Sequence, residues 1–271
     1  MSFKRKFAVA LLAGLLACGA AHAATADRET IQQVALLQSL AQGYFGGTVT
    51  VEQLRAAGDI GIGTFKGLNG EMIVLDGTVY QALGSGEVVV ADDKETIPFA
   101  NVTFFDKDIT LPLSDIADKA ALEERLNRVV KEKGENSFYV IKMHTTFPGI
   151  LFRSEYGSKE PYPTLVGALK EKQTEFNHKD ITGTLVGLYC PGYMGGLSTP
   201  GWHFHFLSDD KKHGGHVLEL SFRSGDVLMD KTDAFAMMLP DDNRFQSLNL
   251  AKDMKEDIRQ AEQDKQPSAQ K

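Results

Sequence analysis

Cysteine is scarce in this chain: 271 residues carry two, Cys18 and Cys190. Cys18 falls in a leader expected to be removed, which leaves one thiol and no route to an intrachain disulfide. Stability must therefore come from an ordinary apolar core, and a chain of this length can build one. Positive charge is also in deficit, with 29 Lys and Arg against 36 Asp and Glu, net −7. An acidic balance argues against nucleic acid and anionic membrane as partners. Internal repeats are absent. Low-complexity character is confined to the polar, Gln-rich stretch after Asp264, expected to be a disordered tail over 265–271.

The N-terminus has Lys4-Arg5-Lys6, an apolar run over 7–17 and the small-residue pattern Ala21-His22-Ala23. That is the pattern of a secretory signal peptide over 1–23, with an apolar core too short to span as a membrane helix. Leu15-Leu16-Ala17-Cys18 also resembles a lipoprotein cleavage box, in which Cys18 would be lipidated. Either route predicts an exported protein, with membrane anchoring only through Cys18. Removing 1–23 takes away three positive charges and no negative one, so the remainder carries about −10. Cys190, in Tyr189-Cys190-Pro191-Gly192, has no neighbouring base in sequence to activate it and reads as a buried structural thiol.

Periodicity predicts a helix over 27–42 and a short one opened by the capping-box pattern Thr50-Val51-Glu52-Gln53. Strands over 61–65, 71–75, 78–83 and 88–91 alternate with the turn signals Asn69-Gly70, Asp76-Gly77 and Gly84-Ser85-Gly86, a pattern of antiparallel hairpins. Further strands are expected over 98–106, 110–112, 137–144 and 150–154. Helices are expected after a Ser114 cap, over 164–176 and over 250–263. The second half is dominated by strands over 181–188, 225–229 and 234–238. The expected fold is α/β of α+β character, with few helices and largely antiparallel or mixed sheets. It divides into a subdomain over 24–165 and a metal-binding one over 166–264.

The most informative residues lie in Trp202-His203-Phe204-His205-Phe206. In a strand, His203 and His205 share one face while the three aromatics share the other. Ser208-Asp209-Asp210-Lys211-Lys212 is a run of turn formers, and Gly214-Gly215 opens a second apolar run that begins at His216. The segment reads as a hairpin that returns His216 beside the pair. Three imidazoles that leave a coordination position open suit a catalytic divalent metal, zinc by default, with other divalent ions also suited to imidazole. His213, at an odd offset from His216, reads as a turn residue.

Other groups are hinted at by pattern alone. Glu71 shares its strand face with Ile73 and Leu75, and a carboxylate on an apolar face needs a partner or a task. Glu262 sits at the edge of an apolar stripe formed by Leu250, Met254, Ile258 and Ala261. Arg153 shares a face with Leu151 near a strand end.

The segments Gly61-Ile62-Gly63-Thr64-Phe65, Leu68-Asn69-Gly70-Glu71-Met72-Ile73, Asp76-Gly77-Thr78-Val79-Tyr80 and Lys159-Glu160-Pro161-Tyr162-Pro163 occur in a telling order. With Gly201-Trp202-His203-Phe204-His205-Phe206 and Gly214-Gly215-His216-Val217 they resemble the alpha-acetolactate decarboxylase family over most of 30–264. The resemblance implies a zinc-dependent lyase, usually dimeric, that converts acetolactate to acetoin and carbon dioxide on a two-part, largely β fold. By position it implies metal ligands His203, His205 and His216, and active-site carboxylates Glu71 and Glu262, the latter on a C-terminal helix closing over the metal. It also implies Arg153 facing the substrate and Thr64 in the pocket. In such a reaction the electrons of the broken bond pass into the adjacent ketone as an enediolate, with the metal as Lewis acid. Arg153 would hold the leaving carboxylate, and Glu71 or Glu262 would supply the proton that fixes product handedness. The family commonly carries a Thr/Ser-Val-Pro run after its arginine, whereas this chain has Ser154-Glu155-Tyr156-Gly157. Two other readings share the histidines: a cupin-like metalloenzyme with Asp209 as a carboxylate ligand, and an exported metal-binding protein without chemistry.

Overall fold

Alternating apolar positions build two sheets that pack face to face. A computed structural model describes residues 27–262; the leader expected over 1–23 and the tail expected over 265–271 lie outside these residues. The first sheet has seven strands in the order Ala234–Met238, Thr30–Val34, Phe99–Thr103, Ile60–Thr64, Glu71–Leu75, Thr78–Ala82 and Val88–Val90. It is antiparallel except where Thr30–Val34 runs parallel to Ala234–Met238. The second sheet runs Phe138–Phe147, Ile181–Cys190, Gly201–Ser208, Gly214–Thr232, Gly149–Glu155 and Gln173–His178, with Ile109–Ile116 also on the long strand. Because Gly214–Thr232 pairs back onto Phe138–Phe147, four strands close a ring of pairings.

Each face of each sheet has a separate task. Phe152, Phe204, Phe206 and Val217 fill the interior of the second sheet's curve, together with Leu122, Leu126 and Val130 of the helix Lys119–Lys133. Ile62, Ile73 and Leu75 of the first sheet meet Val186, Leu188 and Leu207 of the second. Met72 and Val74 point to the far face of the first sheet, against Tyr44, Leu54 and Phe245. Glu71 thus shares the inter-sheet face with Ile73 and Leu75, and His203 and His205 share it with Leu207. A one-residue slip of Gly201–Ser208 would turn Phe204 and Phe206 out of the core, at about 1.5–3 kcal/mol for each ring.

Several elements differ from expectation. The helix expected over 27–42 is a strand, Thr30–Val34, and a single helical turn, Leu37–Ala41. Its residues are claimed by strands on both sides, and pairing overrides a weak helical period. Ser114 does not cap a helix; it lies in the strand Ile109–Ile116, and Asp118 caps Lys119–Lys133 by accepting from the Ala121 amide. Thr164 does cap its helix, which stops at Lys172, so that Gln173–His178 can pair with Gly149–Glu155. The expected strand over 225–229 is part of the continuous Gly214–Thr232. The C-terminal helix spans Lys255–Glu262. The capping box at Thr50 is present, with reciprocal bonds to Gln53.

Strands between 109 and 155 belong to the second sheet, where the long strand needs partners along its whole length, and Ala234–Met238 returns to the first. Among the described residues, no helix is long and apolar enough to cross a membrane.

Candidate metal centre

The hairpin of Gly201–Ser208 and Gly214–Thr232 sets His205 directly opposite His216, and alternation adds His203 on the same face. A metal-ligating nitrogen from each of the three lies within 4.8 Å of the others. His203 Nε2 is 2.7 Å from His216 Nδ1 and 3.1 Å from His205 Nε2. His205 Nδ1 lies 2.7 Å from the Met72 carbonyl, which only accepts, so Nδ1 carries the hydrogen and Nε2 presents a lone pair to the cluster. That backbone contact to the first sheet is the outer partner that ligating histidines require for orientation.

Burial holds all three imidazoles neutral. It pushes His205 down to about 3, and it places His203 and His216 well below the usual histidine range, with the neighbouring histidines and Arg153 adding to the effect. Neutral, converging nitrogens fit a divalent cation. A hydrogen on His203 Nε2 cannot serve two neighbouring nitrogens well, whereas one cation serves all three. The His203–His205 separation of 3.1 Å is close to the ~3.3 Å kept by two nitrogens about 2.0 Å from a tetrahedral zinc ion, and the His203–His216 one is shorter.

The expected helpers surround the trio. Glu71 Oε2 is 3.4 Å from His205 Nε2, and Glu262 Oε2 is 3.6 Å from His203 Nε2. Arg153 stands across from His216 because a β-bulge between Leu151 and Phe152 shifts the register by one. Thr64 pairs with Glu71 across the first sheet, donates to the Gly70 carbonyl at 2.8 Å and lines the same cavity. Burial raises Glu71 well above the usual carboxylate range, with the Glu155 charge next in effect. It raises Glu262 to about 7, opposed by Arg153.

His203, Thr64, Glu71, Arg153 and Glu262 enclose a cavity of about 30 Å³, bounded on its other sides by Leu68, Phe99, Leu165 and Leu169. A larger and more open cavity of about 830 Å³, near Lys142 and His144, contains none of the histidine trio. The chemistry belongs to the small one. Glu155 is the residue that pattern reading passed over: it shares Arg153's strand face two positions on, and it is 1% exposed. The i, i+2 rule was sufficient to find it.

Other candidates fall away from the centre. His213 packs on His178, ring centroids 4.4 Å apart. Asp209, the carboxylate the cupin-like reading needs, contacts His144 at 3.0 Å, on the surface. Cys190 is buried, donates to Ser198 Oγ, and burial lifts its thiol to about 12, so it is inert.

Fold and centre together define a class: a two-sheet α+β protein with an open three-histidine site between the sheets, ringed by carboxylates and one arginine. The alpha-acetolactate decarboxylase family model matches residues 31–252, and the chain belongs to that family, which makes it a carboxy-lyase. The chain is 36% identical to the alpha-acetolactate decarboxylase of Methanosarcina mazei over 86% of its own length and 80% of that protein. It is 33% identical to that of Brevibacillus brevis, over 89% and 83% of the two chains. The crystal structure of the Bacillus subtilis enzyme superposes with a TM-score of 0.83 at 29% identity, covering 87% of this chain and all of that one.

Proposed function

We propose that this protein converts acetolactate to acetoin and carbon dioxide at a zinc ion held by His203, His205 and His216. The observation that carries the reading is the convergence of three buried, neutral imidazoles beside Arg153, Glu71 and Glu262. A divalent ion there supplies Lewis acidity, drawing the electron pair of the broken bond toward the substrate's ketone oxygen.

The chain's own residues do the rest. Arg153 receives the substrate carboxylate and orients it for departure. Glu71 and Glu262, whose hold on a proton burial strengthens, stand beside His205 and His203 and return a proton to the carbon that lost carbon dioxide. The apolar walls from Leu68, Phe99, Leu165 and Leu169 keep water from competing for that carbon. The basic and apolar leader supports export, and the resemblance supports a homodimer.

The test is direct. Purified protein loaded with zinc is expected to release carbon dioxide from acetolactate, and His205→Ala to abolish release and lower zinc content below one per chain. Wild-type protein that binds zinc and leaves acetolactate intact would sink the reading.

A further inference from the structure

Glu155 is a buried carboxylate in an unusual position. Its side chain is 2% exposed, with the buried Glu71 carboxyl as its hydrogen-bonding neighbour and Arg153 as its cationic one. It faces the cavity that also holds Arg153, Glu71 and Glu262. Removing an ionisable group from water is costly, by several kcal/mol even after relaxation. A group kept under those conditions calls for a reason.

The reason is legible in the arginine beside it. Arg153 Nη2 donates to the Ala261 carbonyl at 2.6 Å, and Nη1 donates to Gln173 Oε1 at 3.3 Å. Arg153 Nε has no hydrogen-bond acceptor, yet lies 3.6 Å from Glu155 Oε1. Two nitrogens of the fork therefore donate to two different elements, the C-terminal helix and the strand Gln173–His178, and the third lies beside Glu155, two residues on in Arg153's own strand. A guanidinium has five N–H groups. The two bonds use one on Nη1 and one on Nη2, and with Nε–H set beside Glu155 they leave one on each Nη, the number a two-pronged carboxylate clamp requires.

We infer that Glu155 is a positioning residue for this reaction: its carboxylate fixes the rotation of the Arg153 guanidinium, so that the two remaining N–H groups face the substrate carboxylate. The inference rests on the reading of Arg153 as the group that receives that carboxylate. Glu155 itself touches neither substrate nor metal in this role. Lysine could not replace the arginine, because a point charge has no fork to orient.

The experiment compares two probes that undergo no turnover. One is 2-hydroxy-2-methylpropanoate, which keeps the hydroxyl and carboxylate of the substrate; the other is acetoin, which has no carboxylate. With zinc-loaded E155L, calorimetry is expected to show binding of the first weakened about tenfold or more and binding of the second unchanged. Turnover is expected to fall by about 10², the cost of a misplaced binding group, and E155Q, whose amide oxygen still faces Nε, to recover most of it. The E155L/R153K double variant is expected to lose no more than R153K alone, since the two side chains act as one unit. If E155L is unstable, E155D, which withdraws the carboxylate by one methylene, is expected to show the same selective loss at smaller size. Equal weakening of both probes, or losses that multiply in the double variant, overturns the inference. The wild-type assay on acetolactate tests the underlying reading separately.

Discussion

Glu262 illustrates how one side chain acquires two burdens. It is the last described residue of a short helix, its Oε2 is 3.6 Å from His203 Nε2, and burial holds it near neutrality with a raised affinity for its proton. The preceding residue, Ala261, contributes a carbonyl to Arg153. A helix end that touches both a ligand and the arginine connects the C-terminus to the chemistry. Glu262→Gln keeps the size and a hydrogen-bonding end but carries no transferable proton. Its kcat is expected to fall by about 10²- to 10⁴-fold, with zinc content by metal analysis unchanged. A fall smaller than about threefold would assign the proton to Glu71 instead and leave Glu262 a packing role.

At the scale of elements, the site depends on a close approach at Gly215. Its φ is +153°, and a Cβ there would stand 2.3 Å from the Arg153 carbonyl oxygen. The bulge between Leu151 and Phe152 is the partner feature, since it brings Arg153 opposite His216 rather than one residue away. Gly215→Ala must push apart the two strands that carry Arg153 and His216. It is expected to cost about 2 kcal/mol or more of stability and to lower zinc affinity, measured by thermal unfolding with and without zinc. An unchanged melting temperature would show that the strands relax freely.

The same level explains what the sequence made legible. The histidine hairpin, the Thr50 cap and the strands from 61 to 91 follow local rules, alternation and capping, and stand as expected. The stretch 27–42 and the cap at Ser114 did not, because their state is decided by distant strands: Ala234–Met238 and Phe99–Thr103 in one case, the far half of Gly214–Thr232 in the other. The same holds within the site. His203, His205 and His216 were readable as a cluster from spacing, while Glu71, Arg153 and Glu262 needed a family resemblance to be assembled. Glu155 stood in plain alternation with Arg153 but had no motif to mark it.

Across the whole molecule, the two sheets are tied near Asp230, and the tie is sensitive to pH. Asp230 lies on the long strand opposite Val140, is 1% exposed, and its Oδ2 accepts from the Asp106 amide at 2.9 Å. Asp106 belongs to the loop that leaves Phe99–Thr103 of the first sheet for Ile109–Ile116 of the second. Burial raises the Asp230 carboxyl to about 7, the Asp106 amide bond opposes the rise, and Asp108, Glu29 and Asp106 add like charge. An acid with its folded value above its unfolded one binds its proton more tightly when folded. Its contribution favours folding fully below the unfolded value, about 4, and is lost as pH climbs to about 7. Asp230→Asn keeps an oxygen for the Asp106 amide and removes the titration. The variant is therefore expected to match wild type near pH 4 and to melt roughly 3–6 °C higher at pH 8, the shift that about 1–2 kcal/mol gives in a chain of this size. Thermal unfolding across pH 4 to 8 checks the sign: a gap that narrows with rising pH would mean that Asp230 is ionised and stabilised in the folded protein.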